Sequence, residues 1–230
     1  MKYARKQGWY NYPLDELKIP SKHKREISSL SNSERNKLEE FLITDMDTTK
    51  LGFYLCLYTG LRIGELCALR WEDINLCSMV LHIRSTIQRM KCIDHTESQK
   101  TTLLITTPKS ISSVRDIPLP IRIVELLSGY EKSSNCFLLS GNTSPIEPRT
   151  MQYRFKKYAK QLGLAHSNPH VLRHTFATQC IELGFDAKTL SELLGHSRVE
   201  ITLNRYVHSS DEHKRSQMNL LFMTGQDCGL

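Results

Sequence analysis

Four glycines constrain the fold of this chain more than any other feature. Gly60, Gly163, Gly184 and Gly195 each stand just past an apolar-periodic segment, where a residue tolerant of positive φ ends a helix. The openings match the closings. Ser31-Asn32-Ser33-Glu34 has capping-box spacing and leads into Leu38, Phe41 and Leu42. Pro148 opens a basic helix carrying Arg149, Arg154, Lys156, Lys157 and Lys160, which Gly163 closes. Pro169 and Gly184 bound the next helix, and Asp186 and Gly195 the one after. Residues 51–58, nearly all apolar, read as a buried helix ended by Gly60; 63–70 read as another, and a helical period returns after Pro120 through Ile123, Leu126 and Leu127. Three segments rich in β-branched residues, 79–88, 101–107 and 113–118, interrupt this pattern and read as one small antiparallel sheet, with 89–100 a long polar loop. The expected fold class is mainly α with a small antiparallel β-sheet (α+β).

The remaining composition narrows the partners. A net charge of +7 favours a polyanion, nucleic acid first. No apolar run reaches the roughly 20 residues of a membrane span, and the polar, basic start does not read as a signal peptide. Neither membrane nor metal is expected, nor any other cofactor. The seven cysteines include no C-x-x-C pair, and several sit in apolar segments as small hydrophobes, which suits a reducing compartment. Residues 1–30 read as a basic arm or interdomain linker in which Trp9, Tyr10 and Tyr12 interleave with Lys2, Arg5, Lys6 and Lys18; they suit nucleic-acid contact or a tether on the body. Residues 31–210 form the expected principal domain and 211–230 a tail.

Chemistry gathers in four places. Arg62 follows the helix-ending Gly60, where its guanidinium can hold a phosphate at a helix N-terminus or simply pair with Glu65 one turn on. Lys109 follows Pro108 at a turn between strands, either a solvated surface lysine or a proton donor to a leaving oxygen. His170 and Arg173 lie three apart at a helix opening, on one face. His196 follows Gly195, ten residues before Tyr206. A phenol with a pKa of about 10 needs roughly 4 kcal/mol to ionise at neutral pH, so a nucleophilic Tyr206 requires a base and nearby cations. Two arginines, a lysine and two histidines are the inventory for in-line displacement at a phosphodiester: cations for the non-bridging oxygens, a base for the phenol, an acid for the departing alkoxide.

In order and spacing, Gly60-Leu61-Arg62-Ile63-Gly64-Glu65-Leu66, Pro108-Lys109, His170-Val171-Leu172-Arg173-His174 and Leu194-Gly195-His196-Ser197 with Arg205-Tyr206 resemble the tyrosine recombinase (phage integrase) family. The likeness covers residues from about 30 to about 210, the extent of that family's catalytic domain, and the 202–209 ending most resembles integrases of phages and conjugative transposons. The resemblance implies that Tyr206 attacks the scissile phosphate, forming a 3′-phosphotyrosine and releasing a 5′-hydroxyl. It implies that Arg62 and Arg173 clamp the phosphate, Lys109 protonates the 5′ oxygen, His170 assists proton transfer and His196 bonds the phosphate. It further implies double-stranded DNA as partner, self-association on DNA during synapsis, accessory DNA-bending or directionality proteins, and a cytoplasmic, nucleoid-associated location. The alternatives are a catalytically silent DNA-binding regulator and a type IB topoisomerase-like enzyme. Members of the family normally carry a DNA-binding domain ahead of the catalytic one, whereas a basic arm stands here. The chain is then either a fragment or works without that clamp, and by itself is expected to hold its target weakly.

Overall fold

The computed structural model describes residues 29–91, 101–107, 111–130, 135–206, 215, 218 and 219; for 91, 111 and 204–206 only the backbone is described. The first helix, α1 (Asn32–Ile43), starts as its sequence dictates: Ser31 Oγ accepts from Glu34 N, and the Glu34 carboxylate accepts from Ser31 N at 3.0 Å. Helix α2 (Thr48–Thr59) is apolar on nearly every side and is accordingly buried on nearly every side, packed between α1 and the helices that follow. Its Phe53 meets Phe155 edge-on, with ring centroids 5.2 Å apart.

Gly60 ends α2 in the left-handed region at φ +64°. Helix α3 (Ile63–Ala68) is shorter than the 63–70 expected, because Arg70 leaves the helix to bridge Phe137 and a 3₁₀ turn (Trp71–Asp73) follows. The strands β1 (Ile74–Asn75) and β2 (Val80–Ile83) then pair antiparallel.

Among the described residues, the single sheet expected is in fact two. Strand β2 also pairs with β5 (Arg115–Pro118), His82 facing Asp116 and Ile83 facing Arg115, giving the order β1-β2-β5. Among the described residues, strand β3 (Thr86–Lys91) pairs only with β4 (Thr101–Thr106). The segment 79–88, read as one strand, breaks at Arg84, whose guanidinium turns back to Arg115 O at 3.0 Å and to the Asp116 carboxylate at 2.5 Å. The start of the expected 89–100 loop belongs to β3; 92–100 lie outside the described residues. The second sheet lies directly under α3: a Cβ at Gly64 would stand 2.7 Å from both Ile87 O and Thr86 Oγ1.

After α4 (Ile121–Ser128), the basic helix α5 (Pro148–Leu162) buries Met151, Phe155 and Ala159 and leaves Arg149, Lys156, Lys157 and Lys160 exposed. Helix α6 (His170–Glu182) starts one residue later than expected, with Pro169 as its cap, and packs along α2. Then come α7 (Ala187–Leu194), capped by Asp186 and closed by Gly195 at φ +64°, and α8 (Val199–Tyr206). Cys56, Cys67 and Cys180 are buried, as small hydrophobes would be, and burial pushes the Cys67 thiol up to about 12. The expected arm runs to residue 30, yet Leu30 is 6% exposed and its N–H donates to Thr175 Oγ1 on α6 at 2.9 Å, so it belongs to the core. Residues 1–28 lie outside the described residues.

The glycine corners give a paired test. A Cβ at Gly60 would stand 2.6 Å from Phe176 Cδ1 and 2.9 Å from Leu194 Cδ2, whereas a Cβ at Gly163, at φ +66°, would meet nothing within 4 Å among the described residues. Both alanine variants incur the left-handed penalty of about 1–2 kcal/mol. Only Gly60→Ala adds overpacking, about 1–3 kcal/mol more. Urea denaturation of the two variants checks this; equal destabilisation would mean the α2–α3 corner is not clamped as described.

Candidate active site

The corner after α2 and the corner after α7 meet through arginines. Arg62 is the N-cap of α3: its N–H donates to Glu65 Oε2 at 2.9 Å and its Nη1 to Glu65 Oε1 at 2.7 Å. The pairing weighed as an alternative to phosphate binding is therefore present, yet a third of the Arg62 side chain stays exposed, and Nη2 reaches across to Gly195 O at 3.1 Å. Those two residues are 133 apart in sequence. Arg173, from the first turn of α6, is 5% exposed and donates from Nη1 to Gly60 O and from Nη2 to Leu194 O, both at 2.7 Å. One arginine of the expected clamp thus faces solvent in part, while the other lies beneath the joined corners.

His196 follows directly. Its N–H donates to Ser191 O at 3.0 Å, closing the end of α7, and its Nδ1 lies 2.8 Å from Thr202 Oγ1 in α8, a buried hydroxyl. The helix that carries Tyr206 is thereby tied to the corner that Arg62 and Arg173 hold. His170 opens the same helix as Arg173, but the face they were expected to share divides: His170 is exposed, its N–H donating to Asn168 Oδ1, while Arg173 is buried. Beside it, Arg149, Gln152 and Lys156 of α5 and Asn168 line a groove of about 300 Å³. Lys109 and the Tyr206 side chain lie outside the described residues.

Sequence reasoning missed one member of this cluster. Arg115 on β5 is 8% exposed and forms a fork on Glu65, Nη2 to Oε2 at 2.9 Å and Nη1 to Oε1 at 3.1 Å, while its Nε donates to Leu193 O at 2.6 Å. The signal was strand alternation: Ser113, Arg115, Ile117 and Leu119 all point inward, so a cation stands at a core position. Glu65 joins Arg115 to Arg62. Its burial pushes the carboxyl up, but the Arg115 hydrogen bonds and the charges of Arg115 and Arg62 outweigh that and hold it down at about 2.

A match to the model of the phage integrase family runs over residues 28–213. This chain belongs to the phage integrase family. Among the relatives of this integrase-family chain, the XerC-like tyrosine recombinase of Caldanaerobacter subterraneus subsp. tengcongensis is 29% identical over 93% of this chain and 62% of its own length. The XerA tyrosine recombinase of Pyrococcus furiosus is 30% identical over 84% of this chain and 61% of its own. The chain therefore spans somewhat under two thirds of the length of these two relatives. In fold it is similar to the Tn1549 transposon integrase solved in complex with transposon right end DNA, with a TM-score of 0.72 at 21% identity over 96% of this chain and 75% of that one. The XerA recombinase crystal structure aligns with a TM-score of 0.60 at 25% identity, over 86% and 66%. These bear out the expected family and the catalytic-domain fold; the silent regulator and the topoisomerase find no support among them. Among the described residues, no helix is long and apolar enough to cross a membrane.

The depressed Glu65 carboxyl ties stability to pH. Because its folded pKa lies below the ordinary 4.5, its contribution is present above about 4.5 and is lost as pH falls toward about 2. The full effect is on the order of 3 kcal/mol. In urea titrations from pH 7 to pH 3, the stability gap between the unmodified chain and Glu65→Gln should narrow below about pH 4.5; a gap that stays constant contradicts this account of the pair.

Proposed function

We propose that this member of the phage integrase family is a site-specific DNA recombinase that breaks and rejoins double-stranded DNA through a 3′-phosphotyrosine intermediate, without metal or ATP. The observation that carries the reading is the meeting of Arg62 with Arg173 and His196, more than a hundred residues further along the chain, at the corner that leads into the helix carrying Tyr206. The relatives support it, being recombinases and integrases by name, one of them solved on transposon DNA.

In this reading the catalytic unit runs from Leu30, which packs in the core, to about residue 210, preceded by a basic arm and followed by a tail. Tyr206 attacks the phosphorus, the P–O bond to the 5′ oxygen breaks, and a 3′-phosphotyrosine and a free 5′-hydroxyl result. Arg62 and Arg173 neutralise the non-bridging oxygens; a guanidinium carries five N–H donors, so one side chain can hold a backbone carbonyl and a phosphate oxygen together. His196 donates to the same phosphate, His170 assists removal of the phenolic proton, and Lys109 protonates the departing 5′ oxygen. The ester conserves the bond energy, so attack by the 5′-hydroxyl of another strand reseals the DNA. The exposed basic face of α5 and its groove toward Asn168 supply phosphate contacts that position the duplex. Self-association on DNA during synapsis, accessory bending or directionality proteins, and work at the nucleoid in the cytoplasm belong to the same proposal.

A nicked suicide duplex, in which cleavage frees a short fragment bearing the 5′-hydroxyl so that the strand cannot religate, tests the reading on a denaturing gel. Tyr206→Phe should abolish the covalent adduct and leave affinity nearly unchanged, since binding energy comes mainly from cations on phosphates. An adduct from Tyr206→Phe would sink the assignment. Lys109→Ala should cleave an ordinary phosphodiester roughly 10²- to 10⁴-fold more slowly. A bridging 5′-sulfur leaves without a proton and should restore most of the rate, whereas Arg62→Ala should stay slow on both substrates. Equal slowing of Lys109→Ala on the two substrates would remove it as the acid.

A further inference from the structure

A helix ends in backbone carbonyls that find no partner inside it, at the negative pole of its dipole. At the end of α7 three successive carbonyls are each met by a different arginine. Leu193 O accepts from Arg115 Nε at 2.6 Å, Leu194 O from Arg173 Nη2 at 2.7 Å, and Gly195 O from Arg62 Nη2 at 3.1 Å. Guanidiniums from β5, α6 and the start of α3 thereby fix three consecutive peptide units immediately ahead of His196. Two of these arginines belong to the proposed clamp. Arg115 does not: it is buried, with its bonds to Glu65, Ser113 O and Leu193 O.

We infer that Arg115 is a positioning residue for strand cleavage: by anchoring Leu193 O it sets the α7 terminus against which Arg62, Arg173 and His196 are aligned. The inference rests on the recombinase reading above. Stability alone is a weak reason for a buried Arg–Glu pair, since apolar side chains of similar volume often do as well. Geometry is the better reason. A planar fork can put two donors on a carboxylate and a third on a carbonyl, which a lysine ammonium cannot do in one fixed arrangement. The turn is shaped around that fork: a Cβ at Gly195 would stand 3.0 Å from Arg115 Nη1 and 3.1 Å from its Cδ. Glu65 also links this anchor to Arg62, so the bonds to Leu193 and Gly195 share one carboxylate. Loosening Arg115 should therefore displace catalytic groups that it does not itself touch.

Arg115→Lys keeps the charge beside Glu65 and loses the fork. Adduct formation on the nicked duplex would be timed in single turnover, well below each protein's melting temperature, with Kd measured on the same duplex. The expected result is cleavage about 10- to 100-fold slower, because small misplacements of reacting groups are costly in rate. Kd should stay within about threefold, since phosphate contacts elsewhere dominate affinity. The ¹⁵N signals of the His196 amide and imidazole should shift or broaden, while those of α1 and α4 stay in place. An unchanged cleavage rate in a folded Arg115→Lys overturns the inference, whatever its melting temperature. Should that variant not fold, Glu65→Gln is compared with Glu65→Gln/Arg115→Met, which leaves neither buried charge unpaired; only the first keeps Arg115 on Leu193 O. The double variant should cleave at least about tenfold more slowly than the single, and equal rates overturn the inference. Absence of any adduct from the unmodified chain would count against the recombinase reading instead, and the His196 signals would still report whether Arg115 holds the α7 terminus.

Discussion

The arrangement of the whole site depends on charge-assisted hydrogen bonds between guanidiniums and the carbonyls that close α7. Such bonds are each worth about 1.5–3 kcal/mol when they satisfy groups withdrawn from water. Here they do two things at once. They satisfy the orphan end of a helix, and they draw the corner at Gly60 onto the corner at Gly195. The left-handed glycines follow from this: both turns run so close to their neighbours that a Cβ would intrude on Phe176 and Leu194 at one and on Arg115 at the other. Glu65 keeps the concentration of cations tolerable, its carboxylate shared between Arg62 and Arg115 and held ionised by both.

That economy bears on chemistry. A site for a phosphodiester needs positive charge that does not rearrange when the transition state forms. Cations fixed by backbone carbonyls and one buried carboxylate meet this requirement, and Arg62, partly exposed at the lip, offers its charge outward while bonded inward. The Thr202 hydroxyl against His196 extends the same order into the helix that carries Tyr206.

Much of this was legible in the chain because helix boundaries are local events. The Ser31–Glu34 box, the Asp186 cap and the glycines after α2, α5 and α7 act through residues within a turn of one another, and the structure places each where the spacing puts it. The sheet was less legible. β-branched residues mark strands but not their partners, and only the Arg84 turn toward Asp116 shows why 79–88 serves two sheets. Burial of Arg115 and Arg173 was harder still. An arginine reads as surface unless a partner is known, and apart from the nearby Ser113 O their partners are a carboxylate 50 residues away and carbonyls 21 to 113 residues away. Strand alternation around Arg115 was the one local hint. The division between exposed His170 and buried Arg173 likewise reflects what α6 packs against, which three-residue spacing does not encode.

The central claim is that the corner held by Arg62, Arg173 and the α7 terminus serves a tyrosine that takes DNA covalently. The most direct measurement is mass spectrometry of peptides from the unmodified chain after reaction with a nicked suicide duplex and nuclease digestion. The account predicts one modified peptide, containing Tyr206 and carrying a nucleotide through its 3′-phosphate. A chain that yields no DNA-linked peptide under conditions where it binds the duplex, or one linked through a different residue, would contradict it.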